Sequence, residues 1–404
     1  MKITTINSLA LGIYLFNCFF TPLSLYSTFA INLLLLSIWL ITAFKIDSNF
    51  ISKHRSYLLF LIYIVFLDYL YSKNIDNPII FHQALAGKSL AYFSFYFFLF
   101  YNRNLRLLKL PLLCFVLAII GTGFFTYVGN LAYPGASRSL ADPSNEFNSF
   151  YRSLFIGGYE YIYSIVFLVL PIVVVLKYRI ISNIYLRIFC ILLLCFLCTI
   201  IIIASYFIGI IITSFILLLY FVKFDRIGKI LLTLIVVIFL FLSLKDFILS
   251  SLIQLGETIH SHMLIKRASQ ILYGTYEEDS ANTSRFVLYT NALLNFFESP
   301  IAGKILSNSN SLRAGHSGFL EYLSNYGSLG LVYYVNIFNI YKTIKKKFIT
   351  NNVKNLFIVS FIIFIVFGLI NIFDYSPHIC TIAFFISPCV LLFVDKNEST
   401  LVNK

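Results

Sequence analysis

Apolar runs separated by short polar connections form the main pattern of this chain. Many of the runs hold about 18 or more residues, enough for a helix to cross a hydrocarbon core of about 30 Å. No series of short segments alternates with period two, as the strands of a β-barrel would. The pattern therefore predicts an all-α polytopic membrane protein with about twelve transmembrane helices. The predicted spans are residues 6–22, 24–44, 56–72, 86–101, 109–128, 158–176, 184–203, 205–222, 229–244, 319–341, 355–373 and 377–394.

The apolar run over residues 184–222 needs separate treatment because of its length. At about 1.5 Å per residue, a single helix over this run would be about 58 Å long, too long for one membrane crossing. We therefore expect two helices joined by a tight turn near Ala204 and Ser205.

Composition and charge agree with a membrane protein and set its expected orientation. The 404 residues are 59% hydrophobic and only 12% charged, a balance that excludes an ordinary soluble domain. The net charge of +13 comes from short basic clusters in alternate connections, which is typical of topology signals and not of a nucleic-acid-binding face. With twelve spans, the positive-inside rule predicts that both termini are cytoplasmic.

Two long connections then fall on the extracytoplasmic side of a single integral membrane domain, residues 1–404. They are residues 129–157 and residues 245–315. Because the connections between the other spans are short, we expect any chemistry at the membrane surface to involve these two segments.

Arg285 opens the segment "SRFVLYTNALLNFFESP" in the longer connection. Apolar side chains recur there at helical spacing until Pro300 stops the run, which predicts an amphipathic helix over about residues 284–297. A helix N-terminus with a guanidinium suits an anionic phosphate. The alternative is an arginine that contacts lipid head groups at the membrane surface.

His316 is expected at the outer membrane boundary, where the span at 319–341 begins. Its imidazole can accept a proton from a hydroxyl near neutral pH. Glu321 follows five residues later, about 140° around a helix, so the two side chains would not share one face. Polar residues up to Tyr326 indicate the wall of a wet cavity. The alternative is a structural histidine that caps the helix.

Lys88 lies within the outer half of the span at 86–101, and an intramembrane lysine is a functional candidate by default. The alternative is that its side chain reaches the interface. His260 and His262 form a pair without an evident third metal ligand, and no nucleotide-binding motif is found. The sequence therefore predicts neither a metal nor a cofactor.

Two segments resemble the signature of the O-antigen polymerase and ligase superfamily: "SRFVLYTNALLNFFESPIAGK" and "GHSGFLEYLSNYGSLGLVYY". In that family an arginine opens an amphipathic helix that ends in a proline–glycine turn, and a histidine then begins the next transmembrane helix, followed by two glycines. The matching residues here are Arg285, Pro300, Gly303, His316, Gly327 and Gly330. The segment "FYRSLFIGGYEYIYSIVFLVLP" at 150–171 is similar to polysaccharide polymerases.

The resemblance implies a GT-C-like membrane glycosyltransferase that works without metal at the periplasmic face of the bacterial inner membrane. Its substrates would be undecaprenyl-diphosphate-linked oligosaccharides, with a chain-length regulator and a flippase as expected partners and no nucleic acid. His316 would be the catalytic base, Arg285 the diphosphate clamp and Glu321 the residue that orients the base or a sugar hydroxyl. Further substrate contacts would come from Arg152, Arg138, Lys88, Arg313 and Tyr326.

Three functions remain open at this point. The first is a polymerase that transfers the growing glycan onto a new lipid-linked repeat unit, favoured by the segment "GGYEYIY". The second is a ligase that transfers the glycan onto lipid A–core; many ligases have an arginine in the turn between the seventh and eighth spans, where this chain has Tyr206. The third is a polysaccharide transporter, which would need mid-membrane polar residues and internal repeats that the sequence does not clearly show.

Overall fold

The computed structural model describes residues 2–24, 29–49, 55–74, 92–140, 146–181, 183–221, 244–258, 262–273, 285–305, 317–370 and 377–402. These residues are mainly helical, and no strand occurs among them. The main helices are α1 (Ile3–Phe19), α2 (Phe29–Ile46), α3 (Arg55–Asn74), α4 (Tyr92–Tyr101), α5 (Lys109–Ala132), α6 (Tyr159–Lys177), α7 (Ile184–Ile203), α8 (Phe207–Leu218), α9 (Lys245–Thr258), α10 (His262–Tyr273), α11 (Arg285–Glu298), α12 (Gly318–Lys345), α13 (Asn351–Ile370) and α14, which runs from Pro377 through a π-helical segment Ile382–Ile386 to Val402.

Six helices in the described residues are long and apolar enough to cross a membrane, which supports the prediction of a helical membrane protein. They are Arg55–Lys73, Leu105–Ala132, Tyr159–Lys177, Ile184–Ile203, Asn351–Leu369 and His378–Lys396. Shorter apolar helices occur at α1, α2, α4 and α8. The span predicted at residues 229–244 lies mostly outside the described residues, so the total of twelve stays a prediction.

The helix α7 has one exposed apolar face and one buried face. Ile184, Leu186 and Leu192 are each more than half exposed, whereas Leu197 and Ile200 are buried against neighbouring helices. Exposed leucine and isoleucine side chains over a whole helix face need an apolar surrounding, because water would penalise a patch of that size. The helices α6 and α14 lie at the centre and have most of their residues buried.

The predicted turn near Ala204 and Ser205 is confirmed. The helix α7 ends at Ile203 and α8 begins at Phe207, and Ser205 adopts a left-handed conformation with φ of 60°. A reversal within three residues requires at least one such backbone conformation, which the short serine side chain tolerates here.

The buried side-chain amide of Asn7 forms hydrogen bonds with two other helices. Its Nδ2 donates to the carbonyl of Trp39 at 3.1 Å and to Oγ1 of Thr42 at 2.9 Å, while the Tyr101 hydroxyl donates to its Oδ1 at 2.7 Å. One amide thus connects α1, α2 and α4. Polar groups buried in an apolar bundle need such partners, and these bonds fix how the three helices pack.

Two features of the fold correct the sequence analysis. The connection at 245–315 contains two helices, α9 and α10, that were not predicted and that pack against each other. The span predicted at 319–341 is not one continuous helix, because Gly327 has a non-helical backbone with φ of 57° and ψ of −145°. In a straight helix Phe319 and Tyr334 would lie about 22 Å apart, yet their rings stack at 4.3 Å.

Candidate functional site

The helix α11 begins at Arg285 and ends at Glu298, two residues before Pro300. The turn that follows continues into a short 3₁₀ helix, Gly303–Ile305. The sequence predicts a helix over about residues 284–297, and the structure has one over Arg285–Glu298. The Arg285 side chain lies outside the described residues, so only the position of its backbone is known.

The turn after α11 inserts into the break of α12, and we call this contact the glycine junction (residues 299–305 against 324–330). The amide of Ser328 donates to the carbonyl of Pro300 at 2.7 Å, and the amide of Leu329 donates to the carbonyl of Ile301 at 3.2 Å. The break would otherwise leave these amides unsatisfied at the start of a new helical segment. The turn therefore caps the second half of α12 with main-chain carbonyls.

Gly303 and Gly327 are required at the glycine junction for two independent reasons. Both have positive φ, 58° and 57°, which disfavours every residue with a Cβ. A Cβ on Gly327 would also lie 2.7 Å from the backbone of Ile301, and one on Gly303 would lie 2.6 Å from the backbone of Asn325. Gly303 and Gly327 thus allow the main chain of the turn after α11 to contact the main chain of α12.

The first half of α12, residues 318–326, folds back on the second half through aromatic contacts. The ring of Tyr322 lies 5.1 Å from that of Tyr333, and the hydroxyl of Tyr334 donates to the carbonyl of Gly318 at 3.0 Å. Gly330 permits this approach, because a Cβ there would lie 2.9 Å from the Tyr322 ring. The segment after His316 is therefore a short helix held against a longer one.

A buried polar network attaches this short helix to α3 and α11. The Tyr326 hydroxyl donates to a carboxylate oxygen of Asp68, and both residues are fully buried. The Tyr71 hydroxyl donates to Oδ1 of Asn325 at 3.1 Å. On the other side, Asn295 of α11 donates to the hydroxyl of Ser324 at 3.2 Å. These polar side chains form hydrogen bonds to neighbouring helices, and the wet cavity stays a prediction; Tyr326 is a buried partner of Asp68 and has no exposed surface for a substrate.

Ser317 is the N-cap of α12, because its hydroxyl accepts from the amide of Leu320 at 3.4 Å. The capping role considered for His316 therefore belongs to the next residue. Glu321 lies in the first turn, where a negative charge is favourable, and its Oε2 atom is shielded from solvent. His316, Arg313 and Lys88 lie outside the described residues, so their predicted roles stay predictions.

Lys304 is a residue of the glycine junction that the sequence analysis did not select. It is only 5% exposed, in the turn beside Gly303. A lysine so deeply buried needs a compensating environment, because desolvation of an ammonium group is expensive. The sequence signal was its place in "SPIAGK", directly after the glycine of the motif.

Arg138 and Arg152 lie in the connection at 129–157. We call the contact of Arg138 and Ser137 with Tyr206 the Arg138–Tyr206 cluster. The guanidinium of Arg138 lies over the ring of Tyr206 at 5.4 Å, and the Tyr206 hydroxyl donates to the carbonyl of Ser137 at 3.0 Å. Arg152 is exposed and donates from Nε to Oδ1 of Asn148 at 2.9 Å. Within the described residues, no hydrogen bond or ion pair joins either arginine to Glu321 or Tyr326.

Glu160 and His378 form an ion pair in a third place, at the starts of α6 and α14. His378 Nδ1 lies 2.9 Å from Glu160 Oε2, and Nε2 lies 2.6 Å from the carbonyl oxygen of Cys18. Both partners are acceptors, so the geometry fits an imidazolium that donates from both nitrogens. The pair joins α1, α6 and α14.

Two comparisons with known proteins found no match for this chain. No protein-family model matches it, and no curated protein matches it. The functional argument therefore depends on the residues and on their arrangement.

Proposed function

We propose that this chain is a surface-polysaccharide polymerase of the bacterial inner membrane, with a GT-C-like arrangement of about twelve helices. It would transfer a growing glycan from undecaprenyl diphosphate onto a new lipid-linked repeat unit at the periplasmic face. One observation carries the proposal. The helix that Arg285 opens and the helix that follows His316 are joined at the glycine junction, through Ser328 to Pro300 at 2.7 Å and Asn295 to Ser324 at 3.2 Å.

The register of the junction supports a shared site for Arg285 and His316. The helix α11 and the short helix at residues 318–326 both end at the junction. Asn295 is near the C-terminal end of α11, and Ser324 is near the break that ends the short helix. If they run side by side, Arg285 and Ser317 begin the two helices on the same side. One substrate could then contact the N-terminal end of α11 and the histidine before Ser317.

The proposed reaction needs one base and a neutralised leaving group. A sugar hydroxyl of the acceptor attacks the anomeric carbon of the donor, and the bond from that carbon to the diphosphate oxygen breaks. His316 takes the hydroxyl proton, and undecaprenyl diphosphate leaves with the bonding electron pair. Arg285 would compensate the charge that develops on the diphosphate, a task for which a guanidinium needs no metal.

The remaining site residues have supporting roles in this proposal. Glu321, in the same first turn that Ser317 caps, would orient His316 or a sugar hydroxyl. Lys304 adds a cation to the turn that fixes α11. Tyr326 and Asp68 would hold the short helix in place and not contact the sugar. Arg138, Arg152, Lys88 and Arg313 are proposed as further phosphate or sugar contacts.

A ligase is the second candidate, because of the contact between Arg138 and Tyr206. The turn between α7 and α8 has no arginine of its own, but Arg138 places a guanidinium 5.4 Å from the Tyr206 ring in that turn. The arginine expected there in a ligase would thus be supplied from the neighbouring connection. This cation would also serve a polymerase as a second phosphate contact.

Electrophoresis of the surface polysaccharide separates the two candidates. In a strain that depends on this chain, His316→Ala should leave glycolipid with a single repeat unit if the chain is a polymerase. Loss of even the single repeat would indicate a ligase. His262→Ala is a matched control, because this histidine lies in α10 of the same connection and should leave the long chains unchanged.

Reconstitution tests the chemistry directly. Purified protein with defined undecaprenyl-diphosphate-linked repeat units should produce a ladder of longer oligosaccharides without added metal. The variants His316→Ala and Arg285→Ala should each elongate about 100-fold more slowly or worse. Normal ladders from both variants would refute the proposed site.

A further inference from the structure

A cavity of about 410 Å³ lies between α6, α7 and α8, near the C-terminal end of α6. Arg179 and Arg187 line it together with Tyr220 and Phe221, and leucine and isoleucine side chains form its wall. The Arg138–Tyr206 cluster lies at the other ends of these helices, where α6 begins and α7 meets α8. The cavity is therefore separate from the Arg138–Tyr206 cluster, and none of its lining residues belongs to the glycine junction.

The two arginines give the cavity a positive charge that no acid in the described residues neutralises. The Nη2 of Arg187 donates to the carbonyl of Ile181 at 3.2 Å, but its Nε is shielded from solvent and has no hydrogen-bond partner in the described part of the chain. Neither arginine forms an ion pair there. Two arginines that line one cavity, with no acid of the described residues paired to them, favour an anionic ligand there.

Arg179 has a backbone conformation that is unusual for a residue with a side chain. Its φ is 47°, a left-handed conformation that usually favours glycine after a helix. The amide of Ile180 donates to the carbonyl of Val175 and the amide of Arg179 to that of Leu176, both at 3.3 Å, which is the hydrogen-bond pattern of a helix C-terminus closed by glycine. Here an arginine occupies the glycine position and lines the cavity.

The apolar part of the cavity opens toward the surface that faces lipid. Ile191 lines the cavity and is 46% exposed, on the same face of α7 as the exposed Ile184 and Ile188. Phe221, at the rim, is 82% exposed, and Tyr220 beside it is 44% exposed. Aromatic side chains at the ends of membrane helices are typical of the interface between head groups and acyl chains.

We propose that this cavity binds one anionic glycerophospholipid. Its phosphate would lie between the guanidiniums of Arg179 and Arg187, and an acyl chain would lie along the wall that Leu176 and Leu194 form. A small soluble anion could use the charges but not the apolar wall, whereas a zwitterionic lipid would bring its own cation near the arginines. An anionic lipid satisfies both parts of the cavity.

Native mass spectrometry of the full chain in detergent can test this site. The chain is titrated with dioleoyl phosphatidylglycerol, with dioleoyl phosphatidylcholine and with glycerol 3-phosphate. We expect phosphatidylglycerol to bind about tenfold or more tightly than phosphatidylcholine, with no competition from glycerol 3-phosphate at matched concentration. Equal binding of the two lipids, or efficient competition by glycerol 3-phosphate, would overturn the proposal.

The double variant Arg179→Gly, Arg187→Gln assigns the preference to this cavity. Glycine removes the guanidinium and suits the left-handed backbone, so the first substitution should not disturb the turn. The variant should lose the lipid preference, while Arg106→Gln, which removes an exposed arginine elsewhere, should keep it. If the double variant does not fold, Arg179→Gly alone should weaken phosphatidylglycerol binding about fivefold. An unchanged preference in the folded variant contradicts the proposal.

Discussion

The glycine junction and the Arg138–Tyr206 cluster show two different ways of holding a candidate site. At the junction, main chains touch each other, and Ser328 and Leu329 donate to carbonyls of the turn after α11. At the cluster, the contact of Arg138 is a guanidinium over a ring, on a residue that is partly exposed. The first arrangement has one geometry, whereas the second can adjust through side-chain rotation.

This difference suggests a division of tasks. In the proposed reaction, the transferred sugar and its leaving group must be positioned closely, which suits elements joined through a fixed backbone. Sugar recognition along a variable glycan instead suits exposed side chains such as Arg152 that can move. If the division is correct, substitutions at the junction should reduce folding and turnover together, and substitutions at the cluster should mainly change substrate use.

The largest effect is expected for Gly327→Ala. The new Cβ would lie 2.7 Å from the backbone of Ile301, and the residue would also have to keep its positive φ. We expect a loss of about 4 kcal/mol in the free energy of unfolding, measured by thermal unfolding in detergent.

Gly135→Ala is the matched control for this prediction. Gly135 has φ of 82°, but nothing lies within 4 Å of a Cβ built there. It should therefore show only the cost of the left-handed conformation, about 1 kcal/mol. Equal losses in both variants would mean that the main-chain contact at Gly327 does not matter.

The next effect in size is that of Tyr326→Phe, which removes a hydrogen bond to the buried carboxylate of Asp68. We expect a loss of about 2 kcal/mol in stability, because a bond to a charged group is lost while the carboxylate stays buried. Tyr71→Phe removes the neutral bond to Asn325 and should cost about 1 kcal/mol. Thermal unfolding of both proteins measures the difference. A Tyr326→Phe protein as stable as wild type would show that the hydrogen bond between Tyr326 and Asp68 adds nothing to stability.

The sequence was sufficient for features that depend on neighbouring residues. Pro300 ends α11 because it cannot continue a helix, and the length of the run at 184–222 required the turn at Ala204. Both predictions needed only local chemistry.

The break at Gly327 could not be predicted in the same way. "SNYGSLG" is compatible with a transmembrane helix, in which glycines are common. The break depends on the turn at Pro300 and Ile301, which is distant in sequence and supplies the missing carbonyl acceptors. Arg179 and Arg187 were likewise interpreted only as topology signals, since sequence does not reveal that they line one cavity.

A smaller effect on stability, but a measurable one on function, is expected for Arg138→Gln. The cation–π contact with Tyr206 should contribute only about 0.5–1 kcal/mol to folding. Elongation of lipid-linked repeat units by the reconstituted protein should nevertheless slow about tenfold if the guanidinium contacts phosphate. Arg152→Gln tests whether a neighbouring exposed arginine has the same role. Unchanged elongation with Arg138→Gln would mean that Arg138 does not contact the phosphate and that the proposed site is confined to the glycine junction.

The smallest effect is expected for the ion pair between Glu160 and His378, which lies apart from both regions. The side chains are 47% and 20% exposed, so solvent screens their attraction. A double-mutant cycle with Glu160→Gln and His378→Gln, followed by thermal unfolding, should give a coupling energy of at most about 1 kcal/mol. His378 also faces the Cys18 carbonyl, so His378→Gln should cost more than Glu160→Gln. Equal costs would mean that this carbonyl contact adds nothing, and that α1 is held to α14 by packing alone.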